Sequence, residues 1–343
     1  MPSQSCGSPE LSDLAPKITV AIPTMNGERH LPETLRSVLA QESVAYDLIV
    51  SDDRSDDGTL DVARAILGDR GRIVVNSERL GLAGNWNRCV ALSGTALVAI
   101  VHQDDLLRPG HLALHAGAFG GNSKVGIVAS ASSVIDAEGV EIPQTIVGRG
   151  GLGPVDRTFV AREVLPFMAI GNPLRCSAVS IRAEAHSQAH GFDPALRYVI
   201  DWDFWLRLAA SWSLAWIADT TVDVRWHASS ETHRFKTGTA DLEETLSVFT
   251  RLLRDLTSDE ISKKTVERAA TKSMGRAYLN RAYELLKGAN GTAARACLKQ
   301  SIRLDPMILT TIVADPRLAA QMAVVWGSPT LSARWFRRAK PVP

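Results

Sequence analysis

From Lys17 to about His227, short β-branched runs alternate with stretches of helical periodicity. That alternation restricts this part of the chain to an α/β architecture with a largely parallel sheet. Residues 18–22, 47–51, 73–75 and 97–101 form the opening runs. The last of them is wholly apolar, the pattern of a strand buried on both faces. Between them, Leu31, Leu35, Val38 and Leu39 share one helical stripe with Pro32 in its first turn, a second helix follows Asp57, and a third covers 84–92. Residues 125–129 continue the strand pattern, and 134–142 read as a hairpin turning near Gly139. A loop at 148–153, a strand at 177–181, a turn at Gly191-Phe-Asp193, a tryptophan-rich helix at about 201–211 and a last short strand at 222–227 complete the series.

After about Asp241 the strand signals stop, and helices rich in alanine, leucine and charge take over. The division expected is a loose N-terminal tail over 1–16, an α/β domain over 17–235 and a helical region over 240–343. A length of 343 residues fits that division, at about 150 residues per domain. Ala294, Cys297, Leu298 and Ile302 share a face, and residues 294–306 resemble the second helix of a tetratricopeptide repeat. One such unit does not make a solenoid, which needs about three.

With 45% hydrophobic and 22% charged residues the chain is ordinary globular material, which excludes a disordered or collagen-like protein. Lys+Arg total 38 against 37 Asp+Glu, so no overall basic field recruits nucleic acid, and none is expected as a partner. Four scattered cysteines without a CxxC pair encode neither a zinc knuckle nor a disulfide framework. The tail has no signal-peptide pattern, and the longest uncharged apolar run, 96–101, falls far short of the eighteen or so residues that span a bilayer. A cytoplasmic protein is expected, peripheral on the inner membrane face if the aromatic and cationic stretch 333–340 rests on anionic lipid; a solvated tail or packed helix end is the alternative for that stretch.

Chemistry concentrates at strand ends. Val98-Ala-Ile-Val-His-Gln-Asp-Asp105 delivers adjacent carboxylates, Asp104 and Asp105, at the edge of the sheet where open α/β proteins bind ligands. Two such neighbours repel unless solvated, hydrogen-bonded or bridged by a hard cation such as Mg2+ or Mn2+; capping a helix is the simpler reading. Leu48-Ile-Val-Ser-Asp-Asp-Arg-Ser-Asp-Asp-Gly58 repeats the pattern. There Asp52 or Asp53 is suited to accept from a base or ribose, and Asp56 and Asp57 to cap the next helix. Asp201 opens an aromatic helix, either as a functional acid or as an N-cap.

Taken in order, Val20-Ala-Ile-Pro-Thr-Met-Asn-Gly27, Ile49-Val-Ser-Asp-Asp-Arg-Ser-Asp-Asp-Gly58, Asn85-Trp-Asn87, His102-Gln-Asp-Asp105, Gly191-Phe-Asp193 and Asp201-Trp-Asp-Phe-Trp-Leu-Arg207 resemble the family-two glycosyltransferases with a GT-A fold. The resemblance covers roughly Lys17 to His227. It implies a nucleotide-diphospho-sugar transferase using Mn2+ or Mg2+, with a nucleotide-sugar donor and a glycan or lipid-linked acceptor, as in cell-surface polysaccharide synthesis. By the same resemblance Pro23, Thr24, Asn26, Asp53, Asn87, His102 and Asp105 bind the nucleotide sugar, Asp104 and His227 the metal, and Trp202 and Asn172 the acceptor. Asp201 corresponds to the catalytic base of an inverting transfer. The chain departs from the pattern where His102 replaces the first aspartate of a DxD motif, Met25 an aromatic residue, and Ile200 a glutamate.

Two other readings remain at this stage. Nucleotidyl transfer to sugar phosphates wants a glycine-rich basic loop, and Met25-Asn-Gly-Glu-Arg29 offers one glycine and one arginine. A decayed transferase acting as a scaffold is the other. A dinucleotide oxidoreductase fares worse than either, because no GxGxxG follows Ile22.

Overall fold

The strand Ile18–Thr24 (β1) is buried along its whole length and lies in the middle of the sheet. The computed structural model describes residues 17–143, 151–227, 238–256, 260–288, 290–314 and 316–327. The expected tail at 1–16, part of the loop at 148–153 and the stretch 333–340 lie outside them. The described residues fall into two compact units, one built on the sheet and one on the C-terminal helices, the second also taking in Leu165–Gly171 and Arg197–Val199.

In the first unit, β1 pairs in parallel with Tyr46–Asp52 (β2) and Leu97–Ile100 (β4), and β2 with Arg72–Val75 (β3). The order β3-β2-β1-β4-β8-β6-β9-β5 then becomes mixed. Val179–Arg182 (β8) runs antiparallel between β4 and Val125–Ile135 (β6), and Ser213–Arg225 (β9) runs parallel to β6. Leu106–Leu107 (β5) and Arg157–Phe159 (β7) both pair antiparallel with β9. The expected short strand at 222–227 is thus the end of a much longer one. Ser177 precedes β8 in a short 3-10 turn.

Period-two alternation turns Ile18, Val20 and Ile22 to one face, where they join a core with Leu31, Leu35 and Val38 of helix Leu31–Leu39 (α1) and Ala63 and Leu67 of helix Thr59–Leu67 (α2). Side chains of the opposite register meet helix Gly81–Leu92 (α3), where Asn85 Oδ1 accepts from Ser51 Oγ at 2.7 Å. Because β1, β2 and β4 are parallel, Thr24, Asp52 and Ile100 end at one edge, and the loops that follow carry the acidic motifs.

Helix His111–Phe119 (α4) brings two histidines into the core. His111 Nδ1 meets Thr221 Oγ1 at 2.7 Å, and His115 meets Ser180 Oγ at 2.8 Å and Ser130 Oγ at 3.1 Å. Burial lowers the His111 pKa from 6.5 to about 3, and burial plus the neighbouring His111 holds His115 well below 6.5. Unfolding frees both rings to take up protons below pH 6.5, so the stability present above that pH drains away as the pH falls toward about 3. The urea midpoint should therefore be clearly lower at pH 5 than at pH 7.5; equal midpoints would contradict this account.

The second unit carries Ala240–Asp255, Glu260–Lys287, Gly291–Leu304, Ile308–Ala314 and Pro316–Gly327 as helices. Helices Glu260–Lys287 and Gly291–Leu304 cross closely at Gly275, where a Cβ would come within 2.8 Å of Asp305 Cβ and Ser301 Oγ donates to the Gly275 carbonyl at 2.7 Å. Ala294, Cys297 and Leu298 are buried together, on the face the sequence marks. Glu244 accepts from the backbone N–H groups of Arg197, Tyr198 and Val199 at 2.9, 2.6 and 3.0 Å. No helix among the described residues is long and apolar enough to cross a membrane.

Candidate active site

The turn after β4 builds the centre of the site. Asp105 is buried and points inward, its Oδ1 accepting from the Arg225 backbone N–H at 2.8 Å and its Oδ2 from Ser177 Oγ at 2.5 Å. Burial and the adjacent Asp104 push its pKa up to about 6. Asp104 keeps 22% of its side chain exposed, and its Oδ2 meets His227 Nε2 at 2.9 Å. Burial opposes its ionisation, but the His227 hydrogen bond and the charges available on His102 and His227 outweigh that, and its pKa lies below the ordinary value. The pair is thereby split: one acid anchors the turn and the other presents a carboxylate.

His102 stands beside them. Its backbone N–H donates to Ser177 Oγ at 2.9 Å, and its ring stacks on Trp86 with centroids 5.2 Å apart. Nδ1 lies 3.9 Å from Asp105 Oδ2, beyond hydrogen-bond distance, and Nε2 is buried without a partner. One ligand atom each from His102, Asp104 and Asp105 lie within 4.8 Å of one another. The Asp104 carboxylate and the orphaned His102 ring nitrogen, with Asp105 beside them, form a donor set that fits a divalent cation.

Asp201 enters from helix Ile200–Ala209 (α7), numbered after two short helices, Leu165–Met168 (α5) and Ala183–Gln188 (α6). Its Oδ2 accepts from Asn172 Nδ2 at 3.0 Å and its Oδ1 from the Trp202 N–H at 2.7 Å. Burial raises its pKa above the usual aspartate value, only partly offset by the Trp202 N–H, the charge available on His102, Asn172 and Arg175. Behind Asp201, α7 is fixed by its aromatic face. Phe204 packs 4.1 Å from Phe192 between ring centroids, Trp205 is buried, and Arg207 pairs with buried Asp203 at 2.7 Å while donating to the Gly191 carbonyl at 2.8 Å.

The nucleotide-side residues lie on the neighbouring strand ends. Pro23 and Thr24 close β1, and Thr24 Oγ1 donates to Asp52 Oδ2 at 3.0 Å. Asn26, exposed and at φ 51°, ties the loop after β1 to the acidic loop after β2: its N–H donates to Ser55 Oγ and its Oδ1 accepts from the Asp56 N–H, both at 2.9 Å. Asp53 is turned inward, its carboxylate accepting from Asn76 Nδ2 and from the N–H groups of Leu80 and Gly81 at 2.9, 2.7 and 2.9 Å, a seat on the N-terminus of α3. Asn87 is likewise engaged, bonded to His186 Nε2 and to both the N–H and carbonyl of Phe192 at 2.9, 2.8 and 2.8 Å. Gly191 at φ 69° lets that turn close, since a Cβ there would meet Asn87 Oδ1 at 2.6 Å. His102, Asp104, Asp105 and His227 thus form one cluster and Asp201, Asn172 and Trp202 a second, whereas the side chains of Asp53 and Asn87 fix neighbouring backbone.

Sequence reasoning missed Ser177 and Gln103. Ser177 ties His102 to Asp105, and Gln103 holds the Met25 backbone through bonds of 2.9 and 3.1 Å. Arg225 is buried. Its guanidinium donates to the carbonyls of Asp104, Asp136 and Ala137 and to Glu33 Oε2. Only its nearness to His227 in sequence flags it. A groove of about 830 Å3 opens in the helical unit, lined by Thr239, Arg251, Tyr278 and Cys297 among others, and holds none of these site residues.

The mixed α/β sheet flanked by helices, followed by a helical C-terminal region, is a GT-A fold. The family model described as Glycosyl transferase family 2 matches residues 19–175, a little under half of the chain, and that stretch is similar to a family-two glycosyltransferase domain. The chain is a glycosyltransferase. Among curated proteins it is 28% identical over 279 residues to the uncharacterised MT1568 of Mycobacterium tuberculosis, covering 79% of this chain and 85% of that one. It is 29% identical over 197 residues to the putative glycosyltransferase EpsE of Bacillus subtilis, covering 56% of this chain and 66% of EpsE. Among solved structures, S. aureus TarS 1–349 in complex with UDP-GlcNAc matches with a TM-score of 0.61 at 13% identity, over 93% of this chain and 90% of that one, a likeness of fold.

Proposed function

We propose that the chain performs a metal-dependent, inverting transfer of a sugar from a nucleoside-diphosphate donor, a UDP-sugar first among them, to a hydroxyl of a glycan or lipid-linked acceptor. The observation that carries the reading is the cluster at the end of β4, where ligand atoms of His102, Asp104 and Asp105 lie within 4.8 Å of one another and Asp104 keeps part of its carboxylate exposed. It supports a carboxylate for a cation, and Asp201, held by Asn172, supports a separate acid for the proton.

In this reading Pro23, Thr24 and Asn26 line the nucleotide, with Asp53 and Asn87 holding the loops that contact it. Asp104 holds the cation, Asp105 fixes the turn, and His227 orients Asp104 through their 2.9 Å contact. A divalent cation bound there supplies Lewis-acid neutralisation of the departing diphosphate. Asp201 takes the proton of the acceptor hydroxyl as that oxygen bonds to the anomeric carbon and the bond to the diphosphate oxygen breaks. Asn172 keeps the carboxylate aimed, and Trp202 offers an indole to the acceptor sugar. A cytoplasmic location, at or near the membrane face where lipid-linked acceptors are found, belongs to the same proposal.

A thermal-shift screen of nucleotide sugars tests it, because a ligand that binds the native state raises the melting temperature. UDP-sugars should stabilise the protein only with Mn2+ or Mg2+ present, and Asp104→Ala should abolish that shift. A shift equally large in EDTA would remove the metal from the reading.

A further inference from the structure

We propose that His102 supplies an imidazole nitrogen to the cation held by Asp104, and that this nitrogen biases the site toward a first-row transition ion such as Mn2+ over Mg2+. The inference rests on the reading above that a cation binds at Asp104.

Neither ring nitrogen of His102 has a hydrogen bond: Nδ1 is 3.9 Å from Asp105 Oδ2 and Nε2 is buried and unpartnered. A buried nitrogen left in that state costs free energy that a ligand would recover. The ring is also held in advance, stacked on Trp86 and tethered through its backbone N–H to Ser177. Little ordering remains to be done on binding.

Alternatives around it are committed elsewhere. Both Asp105 oxygens are taken, by the Arg225 N–H and by Ser177 Oγ. The second imidazole nearby, His227, directs Nε2 at Asp104 Oδ2. The donor atoms of His102 and Asp104 lie within 4.8 Å of each other, a span that bonds of about 2.1–2.5 Å from one ion bridge. His102 replaces an oxygen donor by a nitrogen. Mg2+ prefers oxygen ligands and gives up water reluctantly, whereas first-row transition ions accept imidazole readily.

The test uses the full chain with UDP and Mn2+, read by pulsed electron paramagnetic resonance, which detects 14N bound directly to the ion. Wild type and His227→Asn should show the 14N modulation, and His102→Asp should lose it. Competition titration should show the Mn2+-over-Mg2+ preference falling by about tenfold or more in His102→Asp, within the range that ligand-shell changes produce. His102→Ala, with folding checked by circular dichroism, serves as a second variant should a third acid disturb the turn. Modulation that persists in both His102 variants, or vanishes in His227→Asn alone, or an unchanged preference, overturns the inference while leaving metal binding intact. Wild-type protein that binds no Mn2+ with UDP overturns both this inference and the metal-dependent reading.

Discussion

Replacing Asp201 with asparagine should lower the transfer rate by about 10²–10⁴-fold, the range expected for a general base, while leaving nucleotide-sugar binding nearly unchanged. Asparagine keeps the shape of the side chain and still accepts from Asn172 or the Trp202 N–H, but it cannot take a proton. The wild-type rate should also carry a signature of this acid. Burial raises the Asp201 pKa above its ordinary 3.8, and a base works only when ionised. Transfer should therefore rise with pH through a value above that of a solvated aspartate, and the rise should disappear from the residual rate of Asp201→Asn. Rates measured against pH at saturating donor decide it; a variant as fast as wild type would require another base.

The second large effect is on stability. Arg225→Met should destabilise the protein by on the order of 3 kcal/mol, because it strands buried acceptors that each cost about 1–3 kcal/mol when unpaired. The Arg225 side chain is 1% exposed, and its donors reach the Asp104, Ala137 and Asp136 carbonyls at 3.0, 3.1 and 3.3 Å and Glu33 Oε2 at 2.6 Å. The same loss frees the backbone of Asp104, so metal-dependent nucleotide binding should weaken with it. Urea denaturation measures the first effect and titration the second. A change within about 0.5 kcal/mol, the range of an ordinary surface substitution, would show that Arg225 does not organise the turn.

What the chain reveals of this architecture before folding is uneven, for physical reasons. The runs that became β1, β2 and β4 are legible because burial on both faces leaves an unbroken apolar signature. β9 was visible only at its far end. Its sequence mixes Trp216, Asp219 and paired threonines, and its register against β6 shifts twice near Ala131, which breaks simple alternation. Helix α4 escaped notice because His111, His115 and Gly117 read as polar or helix-breaking, although both histidines are fully buried. In the site, Asp104, Asp105 and Asp201 were legible as acids at the ends of elements. Their partners were not. Ser177 lies 72 residues from Asp105, and the Arg225 N–H lies 120 residues away, and no local pattern encodes either pairing. Asp53 illustrates the opposite case, an acid conspicuous in sequence whose carboxylate is taken up in fixing the N-terminus of α3.

The most direct measurement is a crystal structure of the Asp201→Asn protein with a UDP-sugar and Mn2+. The account predicts the diphosphate and ion against Asp104, and residue 201 on the opposite face of the anomeric carbon, with room for an acceptor oxygen about 3–3.5 Å from that carbon. A donor whose anomeric carbon opens toward a cavity that residue 201 does not line would contradict it.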